Sequence, residues 1–78
     1  MFNNLRNAIY DKKFKLELER GSIHITNYEE ILVLDFDKIL LNTKEGLLKI
    51  KGNNLKVTKT YNDELQIEGE INEIKIGW

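Results

Sequence analysis

From Phe14 onward the large apolar side chains fall on every second residue. Phe14, Leu16 and Leu18 alternate with Lys15, Glu17 and Glu19. Arg20-Gly21-Ser22 interrupts, and Ile23 and Ile25 then alternate with Ser22, His24 and Thr26. A period of two marks a strand with one buried and one wet face. Asn27-Tyr28-Glu29-Glu30 is a second break. Residues 31–34, Ile-Leu-Val-Leu, are apolar on both faces, which predicts a strand covered on both sides at least in part. A polar turn around Phe36 follows, from Asp35 to Lys38. Ile39, Leu40 and Leu41 come next, then Asn42-Thr43 and the turn Lys44-Glu45-Gly46.

Parity predicts the pairing of the remaining strands. Leu48 and Ile50 share one face, and Leu55 and Val57 share another. A two-residue Gly52-Asn53 turn, a favoured hairpin dipeptide, turns both pairs inward. It sets Ile50 opposite Leu55, Leu48 opposite Val57, Lys51 opposite Asn54 and Lys49 opposite Lys56. Leu65 and Ile67 then require an odd loop, Tyr61-Asn62-Asp63, which pairs Val57 with Ile67 and Lys56 with Glu68. A slip of one residue would turn each apolar row outward, so these registers are specified. The Lys44-Glu45-Gly46 turn is open in parity, because residues 39–41 are all apolar. Ile71 is out of phase with Ile74 and Ile76, so a bulge or bend is expected at Asn72-Glu73. Trp78 is in phase with Ile74 and Ile76 and reads as a lid on the core, with an exposed anchor as the alternative.

The pattern predicts an all-β domain over residues 14–78: a single small antiparallel meander of seven or eight short strands. It would curl into a roll, barrel or sandwich. A β-solenoid ranks second, because the strand spacing has no fixed repeat. Residues 1–13 differ. Phe2, Leu5 and Ile9 have helical spacing, which predicts a short amphipathic helix or flap over an open end of the core. Docking to a membrane surface or a partner is the alternative, with Arg6, Lys12 and Lys13 nearby.

Composition narrows the function classes. The 78 residues imply one domain, and the chain has no cysteine, so disulfides and thiolate metal sites are excluded. A core this small is marginal alone, which favours self-association. A net charge of −1 argues against nucleic acid as partner. No apolar run reaches the ~18 residues of a membrane span, and Met1 to Tyr10 lacks the apolar centre of a secretion signal. The expectation is a soluble cytoplasmic protein with no transmembrane segment of its own.

Charge is segregated along the chain. Residues 44–59 hold five lysines against Glu45, a net +4, and residues 63–76 hold five acids against Lys75, a net −4. Lys49, Lys51 and Lys56 share the outer face, with Glu68 beyond Lys56. This is either a solvated strand face or a basic interaction face for an acidic partner or lipid headgroups. No aromatic side chain lies in 46–59 to stack on a base. If the two charged stretches lie on opposite sides, copies of the chain could stack head to tail.

Catalytic constellations are not evident. Asp35 and Asp37 fall in a turn, where carboxylates commonly accept backbone N–H bonds. His24 points to the polar face with no adjacent nucleophile. The only serine is Ser22, and the five glycines form no phosphate-cradling run. The chain is not expected to be an enzyme, and no cofactor or metal is expected.

The ordered set Gly46-x-Leu48-x-Ile50-x-Gly52-x-x-Leu55 resembles the central signature of the YabP/YqfC-like sporulation protein family. Ile25-Thr26-Asn27-Tyr28 with Ile31, Asn42-Thr43-Lys44-Glu45-Gly46 and Ile67-Glu68-Gly69-Glu70-Ile71 resemble its flanking segments at similar spacing. The resemblance spans residues 14–76. It implies a small protein of endospore-forming bacteria, made in the mother cell and associated with spore cortex or coat formation. It also implies a membrane-bound sporulation protein as partner. The family carries no established catalytic residue. The expected role is a protein-interaction module, with a homo-oligomer in view. The alternative is a structural subunit that assembles by edge pairing into a coat layer or filament. A small-ligand or nucleic-acid binder ranks third. Gly46 and Gly52 are read as turn residues that need positive φ, and Gly69 as a small residue facing Leu55 that permits a bend.

Overall fold

A computed structural model describes residues 13–61 and 63–77. They form six strands: β1 Lys15–Glu19, β2 Ser22–Thr26, β3 Glu30–Leu34, β4 Lys38–Thr43, β5 Gly46–Tyr61 and β6 Glu64–Gly77. All pairs are antiparallel, in one open sheet of order β1-β2-β6-β5-β4-β3. The all-β antiparallel expectation holds, and the solenoid alternative does not form. The chain is a β1–β2 hairpin followed by a β3–β6 meander, with β2 closing against β6. The predicted helix or flap at the N-terminus and the Trp78 lid lie outside the described residues.

The strand count is six because the predicted Gly52-Asn53 hairpin does not form. β5 runs through it for 16 residues and pairs along its length with the 14-residue β6. Ile50 faces Ile74 and Leu48 faces Ile76, not Leu55 and Val57. The predicted Val57–Ile67 and Lys56–Glu68 pairs are present. Nearer the turn a further register shift, between Val57 and Lys59, closes the hairpin at Tyr61–Glu64 instead of on three loop residues. The register also shifts between Lys51 and Gly52, where Glu73 and Ile71 are the successive partners and Asn72 is the extra residue. That is the predicted bulge.

The paired strands must bend double at this point. Thr26 of β2 pairs with Glu64, at the start of β6. Glu30 of β3 leads through Asn42 and Leu47 to Gly77, at its end. Along a straight strand those two ends of β6 would lie roughly 40 Å apart. The chain from Thr26 to Glu30 reaches at most ~14 Å. The sheet therefore folds over on itself, with β1-β2 on one half and β4-β3 on the other.

Two glycines permit the fold-over. A Cβ on Gly52 would sit 1.9 Å from the Glu70 carbonyl oxygen. Gly52 lacks the positive φ expected of a turn; its small size lets the two backbones touch. Gly69 has φ +137, and a Cβ there would lie 2.6 Å from the Asn54 carbonyl oxygen. Its neighbours are thus Asn53 and Asn54, one residue short of the expected Leu55. Backbone bonds tie other turns to the bend: Gly52 N–H donates to Asp37 O, Leu55 N–H to Phe36 O, and Gly69 N–H to Gly21 O.

One apolar cluster fills the fold. Ile23, Ile25, Ile39, Leu41, Leu48, Ile50, Leu55, Leu65 and Ile67 are buried, drawn from both halves. Burial of each such side chain contributes ~1.5–3 kcal/mol. Thr43 is the buried polar residue among those described. Its hydroxyl donates to Gly46 O at 2.8 Å and accepts the Glu45 N–H at 3.0 Å. This fixes a two-residue Lys44-Glu45 turn, with Thr43 opposite Gly46. The parity left open by residues 39–41 is thereby settled: Ile39 meets Ile50 and Leu41 meets Leu48. Gly46, at φ +124, sits at the end of this turn.

Residues 31–34 are not covered on both sides. They form an edge strand whose register slips between Ile31 and Val33, and Ile31, Leu32 and Leu34 are exposed. The slip at Leu32 breaks the inward phase that a regular strand would keep.

Candidate interaction faces and edges

The outer face of β4, β5 and the second half of β6 is built from residues directly opposite one another. One row runs Lys38–Lys51–Glu73, and the next runs Leu40–Lys49–Lys75. With Leu48, Ile50, Ile39 and Leu41 turned into the core, alternation sends these lysines to solvent. The basic patch is thus Lys38, Lys49, Lys51 and Lys75. Lys75 lies 3.8 Å from Glu73, both on a wet surface, so the pair adds little stability.

Lys56 is not part of this patch. It sits beyond the bend, opposite Glu68, on the other half of the sheet. The expected Lys49–Lys56 pairing fails with the Gly52-Asn53 hairpin on which it depended. Lys38 and Lys75 join the patch instead. Each flanks an inward isoleucine, Ile39 and Ile74, so its outward direction was readable; its neighbour across the ladder was not.

At the bend an open groove of about 880 Å³ is lined by Asp35, Asp37 and Glu73 together with Lys38 and Lys51. The lining mixes both signs of charge. Among the described residues no group of three His, Asp or Glu side chains could hold a metal ion. His24 lies on the polar face as expected. Its Nε2 is 2.8 Å from Glu64 Oε1, a link between β2 and β6.

The edges of the sheet differ from its faces. Among the described residues β1 and β3 pair on one side only. Their exposed apolar side chains include Leu18 at 60%, Leu34 at 50% and, in the following turn, Phe36 at 71%. Leu18 has the inward phase expected of it, but among the described residues no strand extends over it. The free N–H and C=O groups of such an edge are a template for another strand. No helix among the described residues is long and apolar enough to cross a membrane.

A sequence model of the YabP family matches residues 11–77. No curated protein and no solved structure matches the chain.

Proposed function

The chain belongs to the YabP family, and from that premise we propose a non-enzymatic sporulation protein whose molecular act is binding. It works in the mother cell during cortex or coat formation, beside a membrane-bound partner. The observation that carries this reading is the family match across nearly the whole folded chain. The geometry supports the binding part. Among the described residues, charged groups lie on a broad sheet face and along an open groove of mixed sign, a surface suited to contact with another molecule. The four lysines of the outer face offer cationic contacts to an acidic surface.

The test is a tagged chain expressed in sporulating cells, with a Lys49→Glu/Lys51→Glu variant alongside. The reading expects a membrane-bound protein to co-purify with the parent chain and to be lost from the folded variant, with defective spores. Normal spores from the variant, with the same partner retained, would remove the lysine face from the account.

A second reading is a structural subunit that assembles through its edges. The specific observation in its favour is that β1 and β3, among the described residues, each pair on one side only and carry exposed apolar side chains.

A further inference from the structure

The two edges of the sheet carry complementary charge. β1 is flanked by cations: Lys13 and Lys15 at its start and Arg20 at its end, all exposed. β3 is flanked by acids: Glu29 and Glu30 at its start and Asp35 and Asp37 after its end, all exposed. An antiparallel approach of β1 to β3 of a second copy brings unlike charges together at both ends. An approach of β3 to β3 sets acid against acid at both ends.

Backbone directions agree with this pairing. Glu19 and Ser22 close the two-residue turn of the β1–β2 hairpin. In such a hairpin the closing pair exchanges both backbone bonds, so Glu17 and Glu19 face β2 while Leu16 and Leu18 direct their N–H and C=O groups outward. On β3 the Asp35 N–H donates to Lys38 O. By the same alternation the polar backbone groups of Leu34 point away from β4. The outward groups of Leu16 and Leu34 can therefore meet.

We propose that copies of this chain add edge to edge, β1 of one against β3 of the next, antiparallel, with Leu16 opposite Leu34. This register places Lys15 opposite Asp35 and Leu18 opposite Leu32, and brings Arg20 to Glu30 and Lys13 to Asp37. It also sets the two carboxylates within β1, Glu17 and Glu19, against Val33 and Ile31. A slip of two residues in one direction sets Glu17 against Asp35. A slip of two in the other leaves Lys15 against Val33. The contact is heterologous, so it grows into an open chain or closes as a ring. The bulge at Leu32 limits the paired stretch, a device that keeps edge contacts short and reversible. This deepens the self-assembly reading and rests on it; the lysine-face reading stands or falls separately.

Directional cross-linking tests it. The full chain has no cysteine, so every disulfide comes from the introduced residues. Lys15 and Asp35 form a non-hydrogen-bonded pair in this register, at a Cα separation that suits a disulfide. A mixture of Lys15→Cys chains and Asp35→Cys chains is expected to form the mixed disulfide at least tenfold faster than either variant alone. In light scattering across concentration, Lys15→Asp alone and Asp35→Lys alone each weaken association about tenfold. The double variant Lys15→Asp/Asp35→Lys restores it. All variants should keep the parent circular-dichroism spectrum, since both positions are exposed. Equal self-cross-linking of either variant would overturn the directional pairing. So would assembly of the parent with no mixed disulfide, which leaves the broader self-assembly reading standing. A strict monomer at every concentration would overturn both.

Discussion

Gly52→Ala is the most informative single change in this fold. The added Cβ would sit 1.9 Å from the Glu70 carbonyl oxygen and 3.0 Å from its carbon, with Leu55 Cδ2 at 2.9 Å. The Leu55 methyl can rotate aside. The Glu70 carbonyl cannot, because it belongs to the partner strand. Relief requires the two backbones to separate by more than 1 Å, judged against ordinary contact near ~3.4 Å. Overpacking of this kind costs about 1–3 kcal/mol, and backbone obstruction places Gly52→Ala at about 3 kcal/mol. A 78-residue domain has ~4–12 kcal/mol of stability in all. Two neighbours calibrate the result. Gly77 has open space and no positive φ, so Gly77→Ala is expected to be neutral or stabilising by up to ~1 kcal/mol. Gly21 has open space but φ +75, so Gly21→Ala is expected to cost ~1 kcal/mol for backbone strain alone. Urea unfolding followed by circular dichroism gives all three. A Gly52→Ala variant as stable as Gly77→Ala would refute the close approach of β5 and β6 at the bend.

Other outcomes follow from the same geometry. Thr43→Val removes the hydroxyl that bridges Glu45 N–H and Gly46 O; it is expected to cost about 1–3 kcal/mol in urea unfolding. Ile25→Ala, at a fully buried site between β1 and β6, is expected to cost about 2–5 kcal/mol by the same assay. Lys49→Glu replaces a lysine that faces Lys75 across the ladder. It is expected to leave stability within about 0.5 kcal/mol of the parent, so a lost partner in that variant would report the surface and not the fold.

Much of the core was readable from alternation alone. Ile23 and Ile25, Leu48 and Ile50, and Leu65 and Ile67 all point inward because each pair has a polar residue between its members. The Val57–Ile67 and Lys56–Glu68 pairs followed from parity across the last turn. The bend is ambiguous in the sequence for a physical reason. A change of apolar phase between Ile50 and Leu55 arises equally from a two-residue turn or from a bulge in a continuous strand, and Gly-Asn suits both. The deciding signal lay on the partner strand. Ile71 and Ile74 change phase at a matching distance from the turn near Asp63, as two strands bent together require. Residues 31–34 misled in a different way. An apolar run on both faces suits a buried strand, yet here it marks an edge with a bulge, and only the order of strands reveals that. The lysine patch depends on the same bend: a hairpin at Gly52-Asn53 would put Lys56 beside Lys49, whereas the continuous strand puts Lys75 beside Lys49 and Lys38 beside Lys51.

Nuclear Overhauser contacts between strand backbones test the bent β5–β6 pair most directly. The fold predicts contacts of Ile50 with Ile74 and Lys49 with Lys75 on one side of the bend, and of Val57 with Ile67 on the other. Contacts of Ile50 with Leu55 and Leu48 with Val57 would instead place a hairpin at Gly52-Asn53 and contradict the account.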